Sequence, residues 1–147
     1  GWVVGRFNEF EGTFSYDAGK PEDAKVEVTI DTSSIDSNHA ERDKHLRSGD
    51  FLDVDKYSEA KFKSTSFKMA DGKKASLVGD LTLHGVTKPV TIDVTMSGMG
   101  KDPWGGMRAG FSGKTSIKLS DYGIKNILGP ASESIDLNLY VEGVQKK

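Results

Sequence analysis

Apolar residues recur at every second position in seven separate stretches of this chain, over 10–16, 24–31, 60–69, 75–83, 90–98, 109–119 and 135–141. Alternation with a period of two gives each stretch one apolar and one wet face, the mark of a β-strand covered on one side only. In the first stretch Phe10, Gly12, Phe14 and Tyr16 share a face, and in the second Val26, Val28 and Ile30 do. Ala75, Leu77, Gly79, Leu81 and Leu83 make the next inward set, followed by Val90, Ile92, Val94, Met96 and Gly98. Ala109, Phe111, Gly113, Thr115, Ile117 and Leu119 form a long one, and Ile135, Leu137, Leu139 and Val141 close the chain. Short turns such as Asp71-Gly72 join most of the stretches as hairpins. Strands with no covering helices bury their apolar faces against one another, so the chain is all-β and folds as a sandwich or a barrel. An up-and-down barrel closes on an even number, so seven strands predict an eighth. The chain opens on Gly1-Trp2-Val3-Val4, inside apolar sequence and without a leader, which predicts further residues before Gly1. Eight strands enclose an interior wide enough for one small ligand. The inward glycines Gly12, Gly79, Gly98 and Gly113 either leave room there or mark bends.

One stretch breaks the pattern. Over 31–62 the period is helical, and Ile35, His39, Arg42 and Leu46 fall on one face at spacings of four, three and four. Ser37 is placed to cap this helix and Gly49 to end it, with Phe51 and Leu52 turning inward afterwards. The face presents a histidine and an arginine where a core helix carries Leu or Ala. Two readings are open: a polar pair satisfied by carbonyls or a carboxylate, or a pair meeting the polar end of a ligand.

The 147 residues make a single domain, 1–147, with a net charge of −2 and no cysteine. A pI near 5.9 gives no broad footprint for nucleic acid, and no apolar run is long enough for a membrane span. His39, His45 and His84 fall at spacings that hold no metal, so no metal and no cofactor are expected. His84, beside the Gly85 turn, reads as a structural hydrogen-bonding residue. There is no nucleophile elbow and no phosphate-cradling glycine loop. Binding rather than catalysis is the expectation. Trp104, in a loop of breakers, either caps a core or forms a lip over a barrel mouth, and Phe51 joins it in the second case.

Several motifs resemble one family. NHAERDKHLRS over 38–48, GDLTLHGVTKP over 79–89, DPWGG over 102–106 and RAGF over 108–111 are similar to those of the YceI family of bacterial proteins. So are GRF over 5–7, FEGTF over 10–14, LGP over 128–130 and VEGV over 141–144. The resemblance covers nearly the whole chain in order. It implies a lipocalin-like eight-stranded antiparallel β-barrel with one short helical insertion, whose first strand precedes Gly1. It also implies a long polyisoprenoid or similar amphiphile in the barrel, export to the periplasm and a homodimer. Ser58 stands where the family commonly has Pro.

The combined expectation is non-catalytic carriage or storage of an isoprenoid lipid. Its tail lies among Val26, Val28, Ile30, Leu81, Ile92, Val94, Phe111, Ile117, Leu137 and Leu139, with Leu46, Phe51 and Trp104 at the rim. His39 and Arg42 meet the head group. A quinone-linked enzyme or redox partner, and an adaptor whose barrel is filled by its own side chains, are the alternatives.

Overall fold

The computed structural model describes residues 6–15, 20–101, 107–124 and 134–144. The alternating stretches become β2 (Phe10–Ser15), β3 (Lys25–Asp31), β5 (Glu59–Asp71), β6 (Lys74–Leu83), β7 (Val86–Lys101), β8 (Met107–Lys118) and β9 (Ser134–Val144). Two short strands, β1 (Arg6–Phe7) and β4 (Ile35–Asp36), pair with each other beside them. The seven longer strands form one antiparallel sheet in the order β2-β3-β5-β6-β7-β8-β9, each beside its neighbour in sequence. The sheet curls strongly into a half-barrel, the arc of a lipocalin-like barrel. Among the described residues neither β2 nor β9 has a partner on its outer edge.

Curling puts one apolar face inside. Leu77 is fully buried, Val26 and Val94 nearly so, and Val28, Phe62, Phe67, Leu81 and Ile92 are buried with them. Two bulges adjust this face. At Thr65 the register of β5 slips by one, so the inward positions pass from Ala60 and Phe62 to Phe67. At Ser97 the same happens in β7, and Met99, not Gly98, stands opposite Ala109. The inward assignment of Gly98 is thereby corrected: unbroken alternation carries no trace of an inserted residue.

Gly79 shows what the small residues are for. A Cβ on it would lie 2.4 Å from Cζ of Phe62 and 2.6 Å from the Lys63 carbonyl oxygen. The glycine is an aromatic seat and not spare volume, because the Phe62 ring occupies the space a side chain would take.

One end of the sheet is closed. The insertion after β3 contributes α1 (Ala40–Arg47) and brings Leu46, Phe51 and Leu52 into the core, while Leu119, Tyr122 and Ile124 fold in after β8. The β6–β7 hairpin locks this end. Its two-residue turn has φ of +55° at His84 and +74° at Gly85, the type I′ requirement. A Cβ on Gly85 would come within 2.6 Å of the Tyr57 ring. The His84 ring lies 4.6 Å from that of Tyr57, and its Nδ1–H donates to the Tyr122 carbonyl at 3.1 Å. A carbonyl can only accept, so Nδ1 carries the proton. This is the structural hydrogen bond the sequence suggested.

Gly79→Ala is expected to destabilise the fold by about 1–3 kcal/mol through overpacking. A urea titration reads it, and Phe62→Leu in the same chain recovers part of the loss; additive losses would show that the two side chains do not compete.

Candidate functional site: an apolar wall and a polar corner

Strand parity and curl together assemble the wall. Val26 and Val28 on β3, Leu81 on β6, Ile92 and Val94 on β7 and Ile117 on β8 are buried and in one cluster. Ile30 and Leu137 are partly buried against it. Phe111 pairs with Met96 and Leu139 with Gly113, which places both in inner-face register. Trp104 lies outside the described residues. Leu46 and Phe51 belong to the closed end. Phe62, Phe67, Ala75, Leu77, Leu83 and Met96 line the same face and were not singled out as contacts from sequence. They carried the same period-two signal; nothing in it separates a wall that meets a ligand from one that meets its own side chains. The apolar face comes to the surface at Phe10, 52% exposed on edge strand β2, and at Met69, 37% exposed at the far end of β5.

The polar corner differs from its sequence reading. His39, not Ser37, is the N-cap of α1: its Nδ1 accepts the Arg42 backbone N–H at 3.1 Å, and its ring is exposed. Ile35 lies on β4, outside the helix, so the helical face proposed through Ile35 and His39 does not form. Ser37 is buried instead, with Asp43. Asp43 Oδ1 accepts the Ser37 backbone N–H at 2.9 Å and a short bond from the Ser37 hydroxyl. Arg42 is half-buried and donates from Nε to the Ser37 hydroxyl at 2.9 Å and from Nη2 to the Ser37 carbonyl at 2.6 Å. Arg42 has no carboxylate within 4 Å among the described residues. Asp43 was missed because an acid in a first helical turn usually needs no explanation beyond the helix dipole.

Beyond Ser37 the corner runs to the open edge. Asp36 accepts from the Asn38 backbone N–H at 2.9 Å and from Asn8 Nδ2 at 3.1 Å, and these bonds hold its carboxyl below the usual range. Asp31 is held low by the Ser33 hydroxyl and then by the Ser33 backbone N–H. An open groove of roughly 670 Å³ lies here, lined by Asn8, Glu9, Phe10, Glu11, Thr29, Asp31, Ser58 and Glu59. With four carboxylates it is acidic. No group of three or more His, Asp or Glu side chains among the described residues is arranged to hold a metal.

Asp43→Ala leaves two buried Ser37 donors without an acceptor and should cost about 2 kcal/mol in urea unfolding. His39→Ala should cost about 1 kcal/mol and His39→Asn only a few tenths, since Asn restores a cap. The depressed Asp31 and Asp36 stabilise the fold fully above their ordinary range near pH 4, and this is lost as pH falls through their folded-state values. Acid titration of the melting temperature should show that loss, and Asp36→Asn should flatten part of it; an unchanged slope would contradict the assignment.

The family model for the YceI-like domain matches residues 1–143. A UPF0312 protein of Pseudomonas aeruginosa is 57% identical over 145 residues, spanning 99% of this chain and 75% of that protein. Protein YceI of Escherichia coli O157:H7 is 57% identical over 146 residues, spanning 99% and 76%. Among solved structures, the YceI protein of Campylobacter jejuni superposes with a TM-score of 0.92 at 30% identity, over all of this chain and 87% of that one. A polyisoprenoid binding domain from Saccharophagus degradans shares the fold at a TM-score of 0.56 and 18% identity, over 95% of this chain and 82% of that one. With a matching family model and relatives of this identity, the chain belongs to the YceI-like family.

Proposed function

We propose that the protein binds a long isoprenoid lipid along its inner wall and carries or stores it without catalysis, as one YceI-like unit over 1–147. The observation that carries this reading is the continuous apolar wall, closed at the Leu46–Tyr122 end and reaching the surface at Phe10 and Met69. Burial of apolar surface yields about 25 cal/mol per Å², so a prenyl tail binds such a wall with no special chemistry. The polyisoprenoid binding of the Saccharophagus degradans domain supports the ligand class. The tail contacts are those expected from sequence, with Phe111, Leu139 and Trp104 included as rim and wall residues.

The head group is assigned to the corner beside Phe10. Among the described residues Arg42 has no carboxylate partner for its cationic fork, and His39 caps the Arg42 backbone N–H. A neutral head with acceptor oxygens, such as a quinone, suits a single arginine fork. No helix among the described residues is long and apolar enough to cross a membrane. A periplasmic location and a homodimer, in which the edge of β2, unpartnered among the described residues, meets a second copy, complete the proposal.

The filled-barrel adaptor is the rival with an observation behind it, since Phe62 occupies the space over Gly79 and Leu77 is fully buried. Mass spectrometry of an organic extract of the folded protein separates the two. A stoichiometric prenyl lipid is expected; an empty extract from protein that also refuses added prenyl lipids would establish the adaptor. Arg42→Ala should weaken binding of a prenyl quinone about 10-fold, the worth of one charge-assisted hydrogen bond, and should leave a prenyl hydrocarbon unaffected. Equal losses for both would remove Arg42 from the head-group site.

A further inference from the structure

The two ends of the curled sheet differ in charge. The end built from the insertion is acidic: from Asp31 to Glu59 the sequence holds eight carboxylates against four Lys or Arg, a net −4. At the opposite end stand the β2–β3, β5–β6 and β7–β8 hairpins. The first is not cationic, with Asp17, Glu22 and Asp23 against Lys20 and Lys25. The second is cationic, with Lys68, Lys73 and Lys74 against Asp71. All three lysines are exposed, and none has a carboxylate within 4 Å among the described residues. The outer-face lysines of the sheet behave otherwise: Lys61 pairs with Glu59 at 3.5 Å and Lys63 with Glu27 at 3.8 Å. Beside this hairpin, Lys101 and Arg108 stand in adjacent register rows at the end of β7 and β8.

The same end is where the apolar wall surfaces. Met69 pairs with Ala75 on the inner face, yet is 37% exposed. Every methionine of the chain falls at this end. Met96 N–H donates to the Lys73 carbonyl at 2.7 Å, and Met99 and Met107 follow in the β7–β8 hairpin. Methionine adapts to irregular apolar partners, and lysines around it supply attraction to anionic surfaces.

We propose that this hairpin end is a docking surface for an anionic lipid bilayer, with Met69 meeting the interface and Lys68, Lys73 and Lys74 meeting lipid phosphates. Charge complementarity selects the occupant: the acidic insertion end points away from a surface that the cationic end faces. The inference rests on the lipid-binding reading for its purpose, since it names the surface from which the lipid is taken up.

The test is sedimentation with vesicles of phosphatidylglycerol and phosphatidylcholine in equal parts, against phosphatidylcholine alone, at low salt. The protein should bind the anionic vesicles and be released as salt screens the attraction. Lys68→Glu/Lys73→Glu/Lys74→Glu, shown to be folded by its unfolding curve, should bind about 100-fold more weakly. Lys44→Glu/Lys118→Glu, which reverses two charges at the insertion end, should bind as the parent does. Equal binding to both vesicle types, no binding to either, or a triple variant that binds as the parent does would each overturn the proposal. Uptake of a fluorescent polyprenyl probe from detergent, without vesicles, is measured in parallel. The triple variant should load normally, and failure of the parent to load would sink the lipid-binding reading while leaving the vesicle result to decide the docking surface.

Discussion

An antiparallel meander with one apolar face has to cover that face, and here no helix layer is available to do so. Among the described residues the only α-helix, α1, has eight residues and spans too little to cover seven strands. The sheet therefore curls until its inner residues cover one another. The bulges at Thr65 and Ser97 keep the apolar set inward as the strands bend, and the Phe62 ring over Gly79 fills the space where the pleat is tightest. Fold and proposed site are thus one object, since the surface that drives folding is also the one proposed to meet a ligand.

Closing one end gives this object a direction. The insertion after β3 and the turn after β8 deliver apolar residues to the same place, and His84 and Tyr57 hold the hairpin between them. A histidine at positive φ is uncommon outside tight turns, and its ring is tied by a hydrogen bond and a tilted aromatic contact. At the other end the inner face reaches the surface at Met69. The two longest connections described in whole or in part, after β3 and after β8, leave from the closed side of the sheet.

Much of this was legible in the sequence. Period-two alternation located all seven sheet strands, because burial on one face leaves a direct mark on residue type. A turn at Gly85 and the structural task of His84 were also readable, but not the tight two-residue form of that turn, since Val86–Pro89, read as part of it, already belong to β7. Bulges were not, since one inserted residue changes which face is wet without changing composition, as Gly98 shows. The helical wheel failed at His39 for a related reason. Ile35, His39, Arg42 and Leu46 fit a helical spacing, but Asn38 adopts a left-handed φ of +61° and breaks the chain direction before the helix begins. Asp43, the acid that binds Ser37 in the buried corner, looked like a solvated residue because the contact runs backward across that break.

The central claim is that a prenyl tail lies on the inner wall. Intermolecular nuclear Overhauser contacts between a bound, labelled polyprenol and the protein's methyl groups test it most directly. Contacts to Val28, Leu81, Ile92, Val94 and Ile117 are expected, running from the Met69 end toward Leu46. Contacts confined to the outer-face methyls of Thr29 and Thr91, or none from a saturated complex, would contradict it.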